Sequence, residues 1–521
     1  MLTKFEPPPR SLPFRFGSSE QFAALRALLQ RHGYVEAAVY ARLAEMEAAE
    51  AAQREEREKR PALAAGQSEP ARSRDRLGLL LDLFRGAAVP LRSLRREIGA
   101  EGVALLETFS LIEPDPADAA AVRATVLLYP TESLYVVSDV HHMPEGNVTP
   151  PPDTVYPAVT RNTQQFLRLL PRIPCERFLE LCAGTGIAAM VASRFAQHAW
   201  AVDITERATR FAQFNVLLNG IQNVTALQGD LYDAVSERTF DRIVAHPPYV
   251  PASRQEFIFR DGGIDGEAVT RRTIAGLAEH LEPGGRFYCT CMATDRREAP
   301  LEQRVREMLG EHEDDFDVIV AQRWSLPPGE YYSRVALEGQ DAFEEAVARR
   351  RELESAGVER LVYGAIVVQR LAEPREAFTV RHQVSERTDA SALSWLLDWH
   401  SMVASPAAAA RLLEERPFAA PGVELRVVHR EQAGSWPATE CSVAARYPFD
   451  SEAECSVWVP QFMAHCDGTV SVREHLRRLK ERGVVGSQAT EEEFASFVRN
   501  FLDHGFLQLE RCRIPATSGP E

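Results

Sequence analysis

Seven short apolar runs alternate with helix-like segments between Arg177 and Gln369: "RFLEL", "HAWAVDI", "NVTALQGD", "FDRIVAH", "GGRFYCTCM", "FDVIVAQRW" and "LVYGAIVVQR". Runs that are apolar throughout, rather than at every second residue, belong to strands buried on both faces. Such strands separated by helices imply a mostly parallel sheet with helices on each side. The last two runs are expected to form an antiparallel end, so the chain reads as α/β, built on a mixed, mostly parallel seven-stranded sheet. Proline cannot donate to a strand ladder, so "RIVAHPPYVPAS" ends the fourth run at His246, Pro247, Pro248 and Tyr249.

At 521 residues, and about 100–200 residues per domain, the length predicts three domains. Upstream, "QFAALRALLQRHG" and the Ala/Glu-rich segment after it read as helices, and "PALAAGQSEPARSR" as a flexible link. Short helices and the apolar pair "ATVLLYP" and "SLYVVSD" follow, an order that suggests a winged-helix-like module ending at the turn-rich "GNVTPPPDTVYP". Beyond "LAEPREAF", a helix ("ALSWLLDWHSMV") and two strands ("VELRVVHRE", "ECSVAARYPF") precede a tail of two helices and a strand. This is read as an α+β domain ending in a second winged-helix-like module. The expected boundaries are 1–146, 147–372 and 373–521. In the tail, Arg473, Arg477, Arg478 and Lys480 sit beside Glu491, Glu492 and Glu493, which favours an interaction module over a nucleic-acid binder.

A formal net charge of −16 opposes non-specific nucleic-acid binding, which depends on clustered Lys and Arg, without excluding a local basic patch. No apolar run is long enough to span a bilayer, and "MLTKFEPPPRSLPFRF" has no hydrophobic signal core, so a cytoplasmic protein is expected. Eight cysteines are scattered without a C-x-x-C pair, and Cys441, Cys455 and Cys466 with His465 lack zinc-ligand spacing. Free or buried thiols and no metal are expected.

"RFLELCAGTGIAAMVASRF" is an apolar strand, a glycine turn and a helix start. Gly184 and Gly186 can take positive φ and let a ligand approach the backbone. A dinucleotide fingerprint needs G-x-G-x-x-G, with pyrophosphate at the helix N-terminus. Here Cys182 holds the first glycine position and Ala189 the one three after Gly186, which argues for a ligand without phosphates. Asp203 ends the second strand, where a carboxylate can accept from both ribose hydroxyls. Asp230 ends the third, where it can accept from an adenine amino group. Either acid alone could be a helix N-cap. Together, after a glycine turn and before His246, they face the crevice where an open parallel sheet binds its ligand.

With these residues in order, the segment resembles class I S-adenosylmethionine-dependent methyltransferases, most nearly those that methylate the side-chain amide nitrogen of a glutamine in release factors. "ELCAGTG" is similar to that family's acidic–glycine loop, and "TPPPDTV" to its Pro-Arg-Pro-Asp/Glu-Thr-Glu segment, with Val155 in place of the final Glu. "RDGGIDGEAVTRRTI" with "LEPGG" is similar to the stretch after its catalytic motif. The likeness covers roughly residues 150–370 and implies a Rossmann-like class I methyltransferase core that takes S-adenosyl-L-methionine. It also implies that Glu180 holds the methionine amino group, with the backbone of Ala183, Gly184, Thr185 and Gly186. Asp203 and Ile204 would bind at the ribose, Asp230 and Leu231 at the adenine, with His246 bordering the cofactor. The family's fourth-strand motif is Asn-Pro-Pro-Tyr, whose Asn oxygen and a proline-segment carbonyl accept the two N–H bonds of a planar amide while the aromatic ring stacks on it. By position, His246, Pro247 and Tyr249 form the catalytic group here.

A neutral imidazole nitrogen accepts one hydrogen bond and can replace that oxygen; a protonated one would repel a sulfonium. His246 is therefore read as an adapted acceptor. A general base, a cofactor-binding core without activity, and simple closure of the strand are the alternatives. The expected reaction is N-methylation of a protein amide or another planar nitrogen. An RNA or DNA nucleobase N-methyltransferase, a small-molecule methyltransferase and a cofactor-binding scaffold remain open. The acceptor is expected to be a protein or nucleic acid recognised by the flanking domains, with no membrane involved.

Overall fold

The computed structural model describes residues 11–59, 75–140, 151–337, 343–404 and 408–510. The expected link at 61–74 and residues 146–150 of the expected boundary segment lie outside these. The chain forms two compact units. One holds the residues up to Gln164, with Pro174–Arg238 and Arg254–Asp261; the other holds Gln165–Ile173, Thr239–Ser253 and Gly262 onward.

In the first unit, β1 (Cys175–Leu181), β2 (Ala196–Asp203) and β3 (Val224–Gln228) are parallel, β2 pairing with both others. Phe178, Leu179, Leu181, Ala199, Ala201 and Val202 are buried, successive residues on opposite faces, as runs apolar throughout require. Helices α1 (Ile187–Ala192) and α2 (Glu206–Asn219) follow the first two strands. The Thr205 hydroxyl caps α2 by accepting from Ala208 N, and Gly220 ends it in the left-handed region at φ 67°.

One face of α2, with Phe211, Phe214 and Leu218, shares a hydrophobic core with the N-terminal helices Ser19–Arg31, Arg76–Phe84 and Leu91–Thr108. Phe14 meets Phe211 edge-on at 4.8 Å and Phe22 meets Phe214 at 5.1 Å. The expected hairpin is present as Leu127–Thr131 paired with Leu134–Ser138. Its second strand is completed by two asparagines one turn apart on α2. Asn215 Oδ1 accepts from Val137 N at 2.7 Å and Nδ2 donates to Val137 O at 3.0 Å. Asn219 does the same for Tyr135, at 2.8 and 2.7 Å. Each side-chain amide thus bonds the hairpin edge as a neighbouring strand would.

In the second unit, β4 (Phe240–Ala245), β5 (Leu281–Arg296), β6 (Phe316–Leu326), β7 (Val358–Arg370) and β8 (Thr379–Gln383) run in the order β4–β5–β7–β6–β8. β4 and β5 are parallel, and β7 is antiparallel to β5 and β6, the expected antiparallel end. β8 adds to the seven expected strands, parallel to β6. Its sequence "TVRHQ" is a half-buried edge held by charge rather than by an apolar run. Arg381 donates to Asp295 on β5 at 2.9 Å, and just before the strand Arg375 donates to Asp317 on β6 at 2.8 Å. β6 is bulged at Arg323, so that Trp324 rather than Arg323 stands opposite Tyr363. A Cβ at the facing Gly364 would lie 2.0 Å from the Ala321 carbonyl oxygen, so the bulge needs glycine there.

Beyond β8 come helix Ala390–Val403 and a meander of Glu424–His429, Ala438–Ala445 and Ser451–Glu454. Helices Val472–Glu481 and Glu491–Asp503 and strand Leu507–Leu509 follow in the expected order. No helix among the described residues is long and apolar enough to cross a membrane.

Candidate active site

The first group of predicted site residues lies within the first unit. After β1 the chain turns through Cys182, Gly184 and Gly186, at φ 56°, 53° and 73°. A Cβ at Gly186 would meet that of Ala212 on α2 at 3.0 Å, whereas one at Gly184 would meet nothing within 4 Å. Gly186 is therefore a packing position, and Gly184 leaves open space above the turn. Gly184 N donates to Asp203 Oδ2 at 2.9 Å, while Asp203 Oδ1 takes the Thr205 N–H and hydroxyl at 3.0 and 3.1 Å. Gly229 N donates to the Asp203 carbonyl at 2.9 Å, which brings the end of β3, with Asp230 and Leu231, to the same place. Leu231 is buried and left-handed at φ 56°, Asp230 is half-buried, and Ile204 is exposed.

Glu180 is buried, and its two oxygens accept from Ala188 N at 3.1 Å and Ala189 N at 2.8 Å. These are the N–H groups of α1 on which a dinucleotide pyrophosphate would rest. Glu180 occupies them, which agrees with a phosphate-free ligand. The resemblance implies that Glu180 holds the ligand amino group; in the structure it fixes the helix start, each oxygen keeping a further lone pair. Burial pushes its carboxyl up to about 8 and raises that of Asp203 as well.

Thr185 is buried and its carbonyl accepts from Asn215 Nδ2 at 3.1 Å. Asn215 thus ties the turn to α2 and to the hairpin, a role the sequence reading missed. The available signal was faint: two asparagines four residues apart on a mostly apolar helix.

The second group lies within the second unit. His246, Pro247, Pro248 and Tyr249 follow β4, and the segment "RDGGIDGEA" holds their backbone. Gly262 N donates to Val250 O at 2.9 Å and Ala252 N to Gly263 O at 2.7 Å. A Cβ at Gly262 would lie 2.7 Å from Pro248 O, and one at Gly266 2.3 Å from Tyr249 O, approaches that only glycine permits. Beside them the wholly buried Glu267 accepts from Thr294 N and Oγ1 at 2.7 Å each and pairs with Arg304. Asp265 pairs with Arg271 and Arg296.

His246 is half-buried, stacked on the buried Phe166 with ring centroids 5.2 Å apart and 24° between planes. Tyr249 lies 5.8 Å from it. The His246 Nε2 is enclosed and has no hydrogen-bond partner among the described residues. Burial pushes the imidazole down to about 4, so the ring is neutral near pH 7 and too weak a base to take a proton there. Tyr249 heads an aromatic row: Tyr363 at 5.9 Å, Trp324 stacked on Tyr363 at 5.3 Å, and Tyr331 stacked on Trp324 at 6.0 Å. The bulge at Arg323 is what brings Trp324 into this row. Among the described residues, no three His, Cys, Asp or Glu side chains are grouped to hold a metal ion.

Parallel strands joined through helices, a glycine turn bonded to the carboxylate that ends the next strand, and a proline–aromatic motif after the fourth define a class I methyltransferase domain. Residues 157–319 match the methyltransferase small domain family. A ribosomal protein uL3 glutamine methyltransferase of Bradyrhizobium diazoefficiens is 37% identical over 127 residues, 22% of this chain and 40% of that one. A release factor glutamine methyltransferase of Gloeobacter violaceus is 31% identical over 131 residues, 22% of this chain and 46% of that one. A Bordetella pertussis uL3 glutamine methyltransferase is 34% identical over 123 residues, 21% of this chain and 41% of that one. This chain spans less than half the length of each of these relatives.

Proposed function

We propose that the chain is an S-adenosylmethionine-dependent N-methyltransferase acting on a planar amide nitrogen of a protein, a glutamine side chain above all. The observation that carries this reading is the neutral His246 ring, fixed by stacking on Phe166, with an enclosed Nε2 that lacks a partner among the described residues. The glutamine acceptors named for the relatives support the same chemistry.

Glu180, Ala183, Gly184, Thr185, Gly186, Asp203, Ile204, Asp230 and Leu231 fit the methyl donor. Space is open above Gly184, Glu180 takes the Ala188 and Ala189 N–H groups that a phosphate would use, and Asp203 and Asp230 can accept from hydroxyl and amino groups. Bound S-adenosylmethionine supplies an electrophilic methyl on a positively charged sulfur. His246 Nε2 accepts one N–H of the acceptor amide and a carbonyl of the proline segment at Pro247 the other, while Tyr249 covers the amide plane. A neutral ring does this without repelling the sulfonium, so the residues act by positioning rather than by proton transfer.

Against a nucleic-acid acceptor, Arg473 pairs with Glu414 and Glu491, Arg477 with Glu474 and Glu481, and Arg478 with Glu474, leaving little basic surface on that helix. We read 147–372 as the catalytic segment, with 1–146 winged-helix-like and 373–521 α+β as acceptor-recognising modules, in the cytoplasm. The test is a lysate labelled with tritiated methyl donor and then digested separately with protease and RNase. Label lost to protease and recovered as N5-methylglutamine supports the reading, and label released by RNase overturns it.

A further inference from the structure

We propose that Cys441 and Cys455 form a reversible dithiol–disulfide site that is oxidised by small aliphatic disulfides. In the meander of the second unit, Ser442 stands opposite Glu454, so Cys441 and Cys455 are the next pair along the same antiparallel register. Cys455 N donates to Cys441 O at 2.9 Å, and the two sulfurs lie 3.3 Å apart. Directly opposed, hydrogen-bonded antiparallel residues have Cα atoms about 5.5 Å apart, inside the range of roughly 4.4–6.8 Å that disulfides span. Closing the sulfurs to about 2.05 Å therefore asks for side-chain rotation and not for movement of the strands.

The two thiols are unequal. Cys441 is buried and Cys455 half-buried, which makes Cys455 the entry point and Cys441 the resolving thiol. Burial, then the contact with Cys441, push the Cys455 thiol up to about 12, so the pair rests as a dithiol and oxidises slowly. The Cys455 thiolate attacks the oxidant R–S–S–R, forming a mixed disulfide and releasing one R–SH. Cys441 Sγ then attacks Cys455 Sγ and expels the second R–SH. The two thiol hydrogens end on the two R–SH molecules, and the two electrons reduce the oxidant.

The full chain is incubated with oxidised glutathione, quenched in acid, alkylated and mapped by non-reducing peptide mass spectrometry. The expected result is loss of two of the eight thiols, a cross-linked pair of peptides carrying Cys441 and Cys455, and reversal by dithiothreitol. Cys441→Ala is expected to stop at glutathione on Cys455, and Cys455→Ser to form no link at Cys441. No such cross-link in the folded wild type at equilibrium, or one that forms only in urea, overturns the proposal. If either variant fails to fold, the wild-type map alone decides.

Discussion

At the scale of single residues, His246 and Glu180 carry opposite perturbations from one cause, the loss of water. The imidazole is pushed down to about 4 and the carboxyl up to about 8, so each is neutral where its solvated counterpart would be charged or half-charged. For His246 this predicts that kcat at saturating donor stays flat between about pH 5.5 and 8, because the ring does not titrate there and bound donor holds Glu180 as the carboxylate. His246→Asn is expected to keep activity within about tenfold, since an amide oxygen replaces the ring nitrogen. His246→Ala is expected to lose roughly 10- to 100-fold, the worth of one buried hydrogen bond. A wild-type rate that climbs through pH 6–7, with the Asn variant as inactive as Ala, identifies a base instead. For Glu180 the sign is reversed. Its protonated form favours the unliganded fold fully below about 4.5, and that contribution fades as pH rises through about 8. A donor bringing a positively charged amino group must take the carboxylate, so binding releases a proton. Donor affinity is then expected to rise with pH, by up to about tenfold per unit, and to level off near 8. Calorimetry in buffers of different ionisation enthalpy reads the released proton, and Glu180→Gln should abolish it. A proton count of zero in the wild type removes Glu180 from contact with the amino group.

At the scale of elements, the strands that position the site were legible because burial on both faces leaves a continuous apolar run. The glycine turn was legible because positive φ favours glycine, as at Gly184 and Gly186, while Cys182 takes the same conformation without that signal. β8 was not: an edge strand held by Arg381 and Asp295 carries no apolar run to read. Phe166 and Asn215 were missed for a different reason, since they act through partners distant in sequence, His246 and the pair Thr185 and Val137. Asn215 gives a test that separates bracing from packing. Asn215→Ala leaves Val137 N and O and the Thr185 carbonyl without their partner, and is expected to cost about 3 kcal/mol of stability. Because Thr185 lies in the turn, donor affinity should fall about tenfold as well, a loss of about 1.4 kcal/mol. Asn219 bonds the same hairpin strand but not the turn. Asn219→Ala is therefore expected to lower stability in urea titrations while leaving donor affinity unchanged. Equal losses of affinity in both variants would show that the hairpin, and not the bond to Thr185, supports the turn.

At the scale of the molecule, the first unit joins what the sequence separates. The N-terminal helices and the Rossmann-like strands differ in pattern and are divided by a turn-rich stretch, so the sequence suggests independent modules. Yet Phe14 and Phe22 pack on Phe211 and Phe214 of α2, and the hairpin takes its edge bonds from Asn215 and Asn219. Helix α2 is thus covered by a segment that begins more than a hundred residues earlier in the chain. This predicts that a chain starting at residue 147 does not fold alone, because Phe211, Phe214 and Leu218 would face water as one apolar patch. The milder form of the test is Phe214→Ala in the full chain. A large-to-small change at a wholly buried phenylalanine costs about 3–5 kcal/mol. Because the core is shared, proteolytic nicking should then rise together in the N-terminal helices and in the segment from β1 to β3. Protection lost in the N-terminal helices alone, with a soluble 147–521 chain that binds the donor as tightly as the full protein, would show that the shared core is a contact between modules that fold separately.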